Sequence, residues 1–340
     1  MYSIIKQLFQ SKTPIVKRPP PAHANNESSK AAIPENNTQE AASILSQEAL
    51  DFLLPLQKTC DLLLDINLLP LKDRSFITSN IRKIRDNNFE IPMLPHVVIR
   101  TQQLLSKPDV EASDLLDVIK GDPTMSAELL RLANSSYLGF TYPTLDLKQA
   151  ITRIGFNQFH GLIVLLSLRS HILQNGFFNN EIKWTLELSL SLAKLCQKLA
   201  PELEMPPDEA FTLGLLHNID YLVIIGEASL YSEKSTSGVV SREAIIETIC
   251  RLGSDVHNLV TRSWGMGDSK WIKLAVNSEG LRSFESSDAE KLLLRFDSLQ
   301  NQLINALGGR TFITDTVGFD ARSLKDALNE VTAPSKNNTE

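Results

Sequence analysis

The stretch DLLDVIKGDPTMSAELLRLANSS, residues 114–136, contains two helical patterns and the break between them. Gly121 is suited to end the first helix, because glycine tolerates the backbone conformations found just past a helix. Asp122 can accept hydrogen bonds from the free N–H groups of the next turn, and Pro123 suits a first helical position. Apolar residues then recur at helical spacing. So short a break predicts two helices that pack as neighbours.

The same start and stop signals recur on both sides of this stretch. Ser113 is a candidate N-cap for the helix before Gly121, and Asp146 for the helix in LDLKQAITRIG, which Gly155 can end. No segment alternates apolar and polar residues between turns, so we predict an all-α, multi-helix bundle. Further amphipathic helices are predicted over 181–200, 208–218, 241–264 and 269–277.

The composition changes along the chain and indicates four parts. Residues 1–42 are rich in Pro, Asn and Ser and predict a disordered leader. Residues 43–90 predict a helical N-terminal extension, and 91–280 the main helical domain. Residues 281–340 predict a C-terminal helical extension with a polar tail. The apolar stripe of that last part can pack on the domain or on another molecule, and the sequence leaves both open.

Charge and cysteine usage limit the class of protein. The formal net charge of the 340-residue chain is −6, so no basic surface points to nucleic acid. The three cysteines are far apart, without metal-ligand or disulfide-framework spacing, which is typical of a reducing cytoplasm. No apolar run reaches the roughly 20 residues that a membrane-spanning helix needs.

Several short motifs occur in order and at matching intervals between residues 91 and 280. Together they resemble the HDOD domain, a bacterial signalling module related to the HD phosphohydrolases. The resemblance implies an all-α fold, a regulatory role and signalling proteins as partners. It rests on Leu94 and Pro95, Asp122 and Pro123, Leu129, Leu130, Asn134 and Ser135 in the run LLRLANS, Ala150 and Ile151, Gly155, and Trp184.

Each of these motif residues also has a structural interpretation. The leucines and Ala150 suit a core, and Asn134 can satisfy loop backbone groups at a helix end with its short amide. A structural role is therefore the main interpretation for all of them, and we assign none of them a catalytic role.

The stretch FTLGLLHNIDYLVIIGE, residues 211–227, places His217 beside Asn218. An HD-type hydrolase holds its metal with an early histidine, an adjacent histidine–aspartate pair and a later aspartate. The amide of Asn218 lacks the charge of a carboxylate, and the early histidine's place falls near Leu188 and Ser189. The resemblance therefore implies a vestigial HD-like position at His217 and Asn218, with no metal or other cofactor.

Other side chains offer little replacement. His160, His171 and His257 have no second ligand at helical spacing, and scattered surface or satisfied histidines are the simpler interpretation. Asp220 stands where the related motif commonly has glycine, and it predicts a substituted turn more simply than a displaced ligand. No nucleophile elbow, phosphate loop or zinc-protease motif is present.

We therefore expect a non-catalytic HDOD-like regulatory protein that acts through protein–protein contacts in the cytoplasm, alone or as a homo-oligomer. The alternative is a degenerate HD-type metal-dependent phosphohydrolase acting on nucleotides or phosphodiesters. A third hypothesis is a sensor that binds a signalling nucleotide in the vestigial cleft without cleaving it.

Overall fold

A computed structural model describes residues 45–57, 65–93, 95–105, 107, 109–134, 142, 144–172, 177–236, 238–264, 288–309 and 318–333. Within these ranges every regular element is a helix and no strand occurs, which confirms the all-α prediction. The predicted leader at 1–42 and the predicted helix at 269–277 lie outside the described residues.

Thirteen α-helices and two short 3-10 helices, Leu54–Gln57 and Ile66–Leu68, make up the described part of the chain. In chain order the α-helices are α1 Gln47–Leu53, α2 Leu71–Arg85, α3 His96–Leu105, α4 Ala112–Lys120, α5 Pro123–Ala133, α6 Leu147–Ile154, α7 Phe156–Ile172, α8 Asn179–Lys198, α9 Pro207–Leu216, α10 Ile219–Lys234, α11 Arg242–Ser263, α12 Asp288–Leu307 and α13 Ala321–Thr332.

Local hydrogen bonds explain where several of these helices begin. Asp122 caps α5 by accepting from the Met125 N–H at 3.0 Å, and Asp146 caps α6 by accepting from the backbone of Lys148 and Gln149. The predicted N-cap at Ser113 is wrong. The helix α4 begins two residues earlier in a capping box, in which the side chains of Glu111 and Asp114 each accept from the other's backbone N–H.

The helix α8 forms the centre of the fold. Fourteen of its 20 residues are buried, and α1, α9, α10, α12 and α13 pack around it. Its tightest neighbour is α9, where a Cβ added at Gly214 would lie 2.9 Å from the Ala193 Cα. Because real Cβ atoms do not approach backbone so closely, only glycine allows these two helices this separation.

The helix α10 was missed by the sequence prediction, which ended a helix at residue 218 and began the next at 241. Its residues are apolar on most sides, and Leu222, Val223, Ile224 and Ile225 are all buried. A helix surrounded by protein lacks the one-sided apolar stripe by which amphipathic helices are recognised. The span Pro207–Lys234, covering α9 and α10, is long and apolar enough to cross a membrane, but 72% of its most apolar window is buried inside the protein.

Both flanking parts pack on the main domain. In the N-terminal extension, the Asp73 carboxylate accepts from the Ser241 N–H at 2.9 Å, and Lys83 pairs with Glu227 at 2.7 Å. In the C-terminal extension, Glu330 of α13 pairs with Lys198 of α8 at 2.5 Å. The sequence left the position of the C-terminal extension open, and the structure places it against α8.

Candidate functional site

His217 and Asn218 form the junction between α9 and α10. His217 is the residue after the end of α9, and Asn218 occupies the N-cap position of α10 without making a side-chain cap hydrogen bond. Asn218 is only 1% exposed. Its Oδ1 and Nδ2 atoms have no hydrogen-bond partner among the described residues. A buried amide without partners costs about 1–3 kcal/mol, so neither helix capping nor packing explains this side chain.

The C-terminal extension covers the His217 side chain. Nε2 of His217 lies 3.1 Å from Oδ1 of Asp297, and the side chain of His217 is 10% exposed. The neighbouring Phe296 ring lies with its centre 5.9 Å from the imidazole centre. Both partners come from α12, which begins beyond the predicted end of the domain at residue 280. No local sequence signal predicts this contact, because Asp297 is 80 residues away along the chain.

A second histidine and carboxylate lie close together between α10 and α11. Nδ1 of His257 is 3.7 Å from Oδ1 of Asp220, and both side chains are largely buried. Asp220 approaches α11 at Gly253, where an added Cβ would lie 2.6 Å from Oδ2 of Asp220. The sequence interpretation treated His257 as isolated, since it considered only neighbours on the same helix.

Tyr221 joins α10 to α12. Burial of the phenol raises the pKa of Tyr221 well above its usual range, the carboxylates of Asp220 and Asp297 raise it further, and a hydrogen bond with Gln300 opposes these effects. The phenol therefore stays neutral. The groups that act on the Tyr221 phenol are thus two carboxylates and the Gln300 amide.

These residues do not fit a catalytic divalent ion. Within the described ranges, no group of three or more His, Cys, Asp or Glu side chains is arranged to hold a metal. Ser189, near the expected place of the early histidine, is fully buried on α8. The single carboxylate at His217 contacts the imidazole directly, whereas a catalytic site needs several ligands around one open position.

The remaining histidines lie elsewhere or outside the described side chains. His160 is on α7, where burial lowers the pKa of its imidazole. Its Nε2 atom makes no hydrogen bond to the described residues. The side chain of His171 is outside the described part of the structure, so its predicted isolation stays a prediction.

The motif residues build the helices around the domain's first half. Ala150 and Ile151 are fully buried, as is Leu129, while Leu130 is partly buried. Gly155 follows α6 with a φ of 83°, a conformation that favours glycine. Asn134 holds the following loop, because its Nδ2 donates to the Thr144 carbonyl and its Oδ1 accepts from the Thr144 N–H, both at 2.6 Å.

Four motif residues remain. Pro95 precedes α3 and its carbonyl accepts from the Val98 N–H at 2.9 Å. Trp184 packs 6.1 Å from the Phe52 ring, with the Arg242 guanidinium 5.3 Å from its own ring centre. Leu94 and Ser135 lie outside the described residues.

Comparison with known proteins agrees with this architecture. A profile of the HDOD domain matches residues 91–268, more than half of the chain. The chain belongs to the HDOD domain family. Its helices α3 to α11 fall within the matched segment, whereas α1, α2, α12 and α13 lie outside it.

Two curated proteins share part of the sequence. A Treponema pallidum (strain Nichols) protein is 26% identical over 140 residues, which is 41% of this chain and 27% of that protein. YuxH of Bacillus subtilis (strain 168) is 29% identical over 120 residues, 35% of this chain and 29% of YuxH. The match thus spans less than a third of either relative.

Two solved structures share the fold. One is a Shewanella amazonensis SB2B protein whose name proposes a metal-dependent phosphohydrolase, with a TM-score of 0.51, 18% identity and coverage of 77% of this chain and 98% of that chain. The other is a Marinobacter aquaeolei VT8 protein whose name proposes signal transduction, with a TM-score of 0.51, 20% identity and coverage of 81% of this chain and 65% of that chain. At these identities the likeness concerns the fold.

Proposed function

We propose that this chain is a non-catalytic regulatory module of HDOD type that acts in bacterial signalling through contacts with other proteins in the cytoplasm. The observation that carries the proposal is the pairing of His217 with Asp297 of the same chain, next to the neutral amide of Asn218. The name of the Marinobacter relative, which proposes signal transduction, supports a role in signalling.

The chemistry of the two side chains supports the absence of catalysis. A divalent ion that activates water needs anionic or imidazole ligands around an open position. Asn218 retains an oxygen but no charge, so its affinity for a hard cation is far below that of a carboxylate. The Nε2 atom of His217 faces Asp297 at 3.1 Å, so a metal would have to displace that contact.

The rival function is a degenerate HD-type phosphohydrolase acting on nucleotides or phosphodiesters. The name of the Shewanella relative, which proposes a metal-dependent phosphohydrolase, favours it. It requires that His217 and substitute ligands assemble around an ion, so it predicts that activity depends on His217.

Metal content and hydrolysis decide between these two functions. The full chain is purified, its bound metals are quantified by mass spectrometry, and hydrolysis of bis(p-nitrophenyl) phosphate is followed with added Mn²⁺ or Mg²⁺. His217→Ala is compared with His96→Ala, a control at an exposed histidine on α3. We expect all three chains to lack stoichiometric metal and to show only background hydrolysis. Hydrolysis that is lost in His217→Ala and kept in His96→Ala would overturn the proposal.

A further inference from the structure

The helix α12 covers one face of the HDOD domain at the α9–α10 junction. This surface, called the His217 face below, consists of His217, Asn218 and Tyr221. From α12, Phe296 is 4% exposed and lies against the His217 ring. Asp297 reaches Nε2 of the same histidine. An aromatic side chain and a carboxylate, adjacent in sequence, thus occupy the His217 face together.

The buried side of α12 is partly polar. Gln300, Gln302 and Asn305 are 3%, 5% and 7% exposed and lie among Leu299, Leu303 and Ile304. The Oε1 atom of Gln300 accepts no hydrogen bond from the described residues, and the Asn218 amide in the His217 face has no partner among them either. Each such group destabilises the contact, because a buried polar atom without a partner has given up its hydrogen bonds to water. A permanent core contact favours apolar residues here, whereas polar residues suit a helix that also spends time in water.

The extent of the HDOD match separates the His217 face from α12. The HDOD match ends at residue 268, so the His217 face lies inside the matched segment and α12 lies beyond it. The face therefore lies on the matched segment and is filled by a helix from outside it. The α12 side chains at the His217 face, Phe296 and Asp297, show which chemical groups fit there.

We propose that the His217 face is a docking site for an amphipathic helix of a partner protein that carries an aromatic residue next to an acidic one, and that α12 competes for it. The proposal rests on the proposed function, since it names the contact through which a non-catalytic module would work. The partner's aromatic ring takes the place of Phe296 and its carboxylate pairs with His217. While α12 is docked, it lowers the apparent affinity for the partner, because only the open fraction of molecules can bind.

A labelled peptide with the sequence of residues 288–307 serves as the probe, and its binding to the full chain is followed by fluorescence anisotropy. Phe296→Ala in the chain weakens the attached α12, so we expect the peptide to bind this variant at least about tenfold more tightly than the unaltered chain. Leu294→Ala is the matched control, because Leu294 is 52% exposed on the same helix and its loss leaves the face covered. Adding His217→Ala to Phe296→Ala is expected to reverse the gain.

Equal peptide affinity for the unaltered and Phe296→Ala chains, or no saturable binding to either, would overturn the proposal. Circular dichroism verifies that each variant is folded. If Phe296→Ala does not fold, Asp297→Ala replaces it, with an expected gain of about threefold, because its carboxylate is half-exposed. The hydrolysis assay tests the proposed function separately. Metal-dependent hydrolysis would contradict the proposed function, and a flat peptide titration would contradict the docking site, so the two failures can be told apart.

Discussion

The helices α5 and α10 both begin at a short polar side chain, and the two side chains behave differently. Asp122 at the start of α5 is partly exposed and accepts a hydrogen bond from Met125, three residues away. Asn218 at the start of α10 is buried and makes no cap bond. The cap hydrogen bond to α5 is sufficient to explain why Asp122 occupies this position. The helix that Asn218 begins does not explain why this position carries an amide.

The two regions also differ in how far their contacts reach along the chain. Around α5, the polar side chains bond to backbone within ten residues, as Asn134 does with Thr144. Around α10, His217 meets Asp297 from a helix 80 residues away. The polar bonds around α5 are thus local, whereas those around α10 depend on how α12 packs against the α9–α10 junction.

The largest effect on stability is expected from Gly214→Ala, at the contact of α8 and α9. In Gly214→Ala, the new methyl group would lie 2.9 Å from the Ala193 Cα and 3.0 Å from the Leu192 carbonyl oxygen. Because backbone cannot yield as a flexible side chain does, we expect a loss of about 3 kcal/mol in the free energy of unfolding, measured by urea denaturation.

Gly121→Ala, in the α4–α5 region, is the control for this substitution. Gly121 has a right-handed helical conformation with φ of −68°, and its nearest atom to an added Cβ is at 3.5 Å. We expect its free energy of unfolding to stay within about 1 kcal/mol of the unaltered chain, or to rise slightly. Equal losses at the two glycines would contradict the contrast between the regions.

A smaller effect appears as a dependence on pH and comes from Glu187 on α8. Burial raises the pKa of Glu187 from 4.5 to about 7, and the charge of Lys183 only partly opposes the shift. A raised carboxyl pKa means that the folded state binds the proton more tightly than the unfolded state does. The contribution to stability is therefore present at low pH and is lost as pH rises from 4.5 through about 7.

Glu187→Gln keeps the neutral form at every pH. Relative to the unaltered chain, we expect its free energy of unfolding to gain about 2 kcal/mol between pH 5 and pH 8, measured by urea denaturation at each pH. Glu128→Gln on α5 is the comparison in the local region, where the carboxylate pairs with Arg131 on the same helix. A Glu187→Gln difference that stays constant with pH would argue against a buried, protonated Glu187.

The same contrast explains how much could be predicted from the sequence. Asp122, Asp146 and Gly155 were recognised as helix boundaries, because a cap or stop is set by residues within a few positions. The all-α class followed from spacing alone. The pairs His217–Asp297 and Asp220–His257 could not be predicted, because each joins side chains from separate segments of the chain and only tertiary packing brings them together. Asn218 drew attention through the family resemblance, but its lack of partners needed the structure.

The smallest expected effects test the two helix starts directly. Asp122→Ala removes the cap of α5, and we expect a loss of about 1 kcal/mol in the free energy of unfolding by urea denaturation. Asn218→Leu replaces a buried amide by an apolar group of similar size and removes two polar atoms that have no partner among the described residues. We expect no loss there and a gain of up to about 1 kcal/mol, because no hydrogen bond is given up. A loss at position 218 as large as that at 122 would show that the amide stabilises the fold itself, and the interpretation of Asn218 as a vestigial binding position would then be wrong.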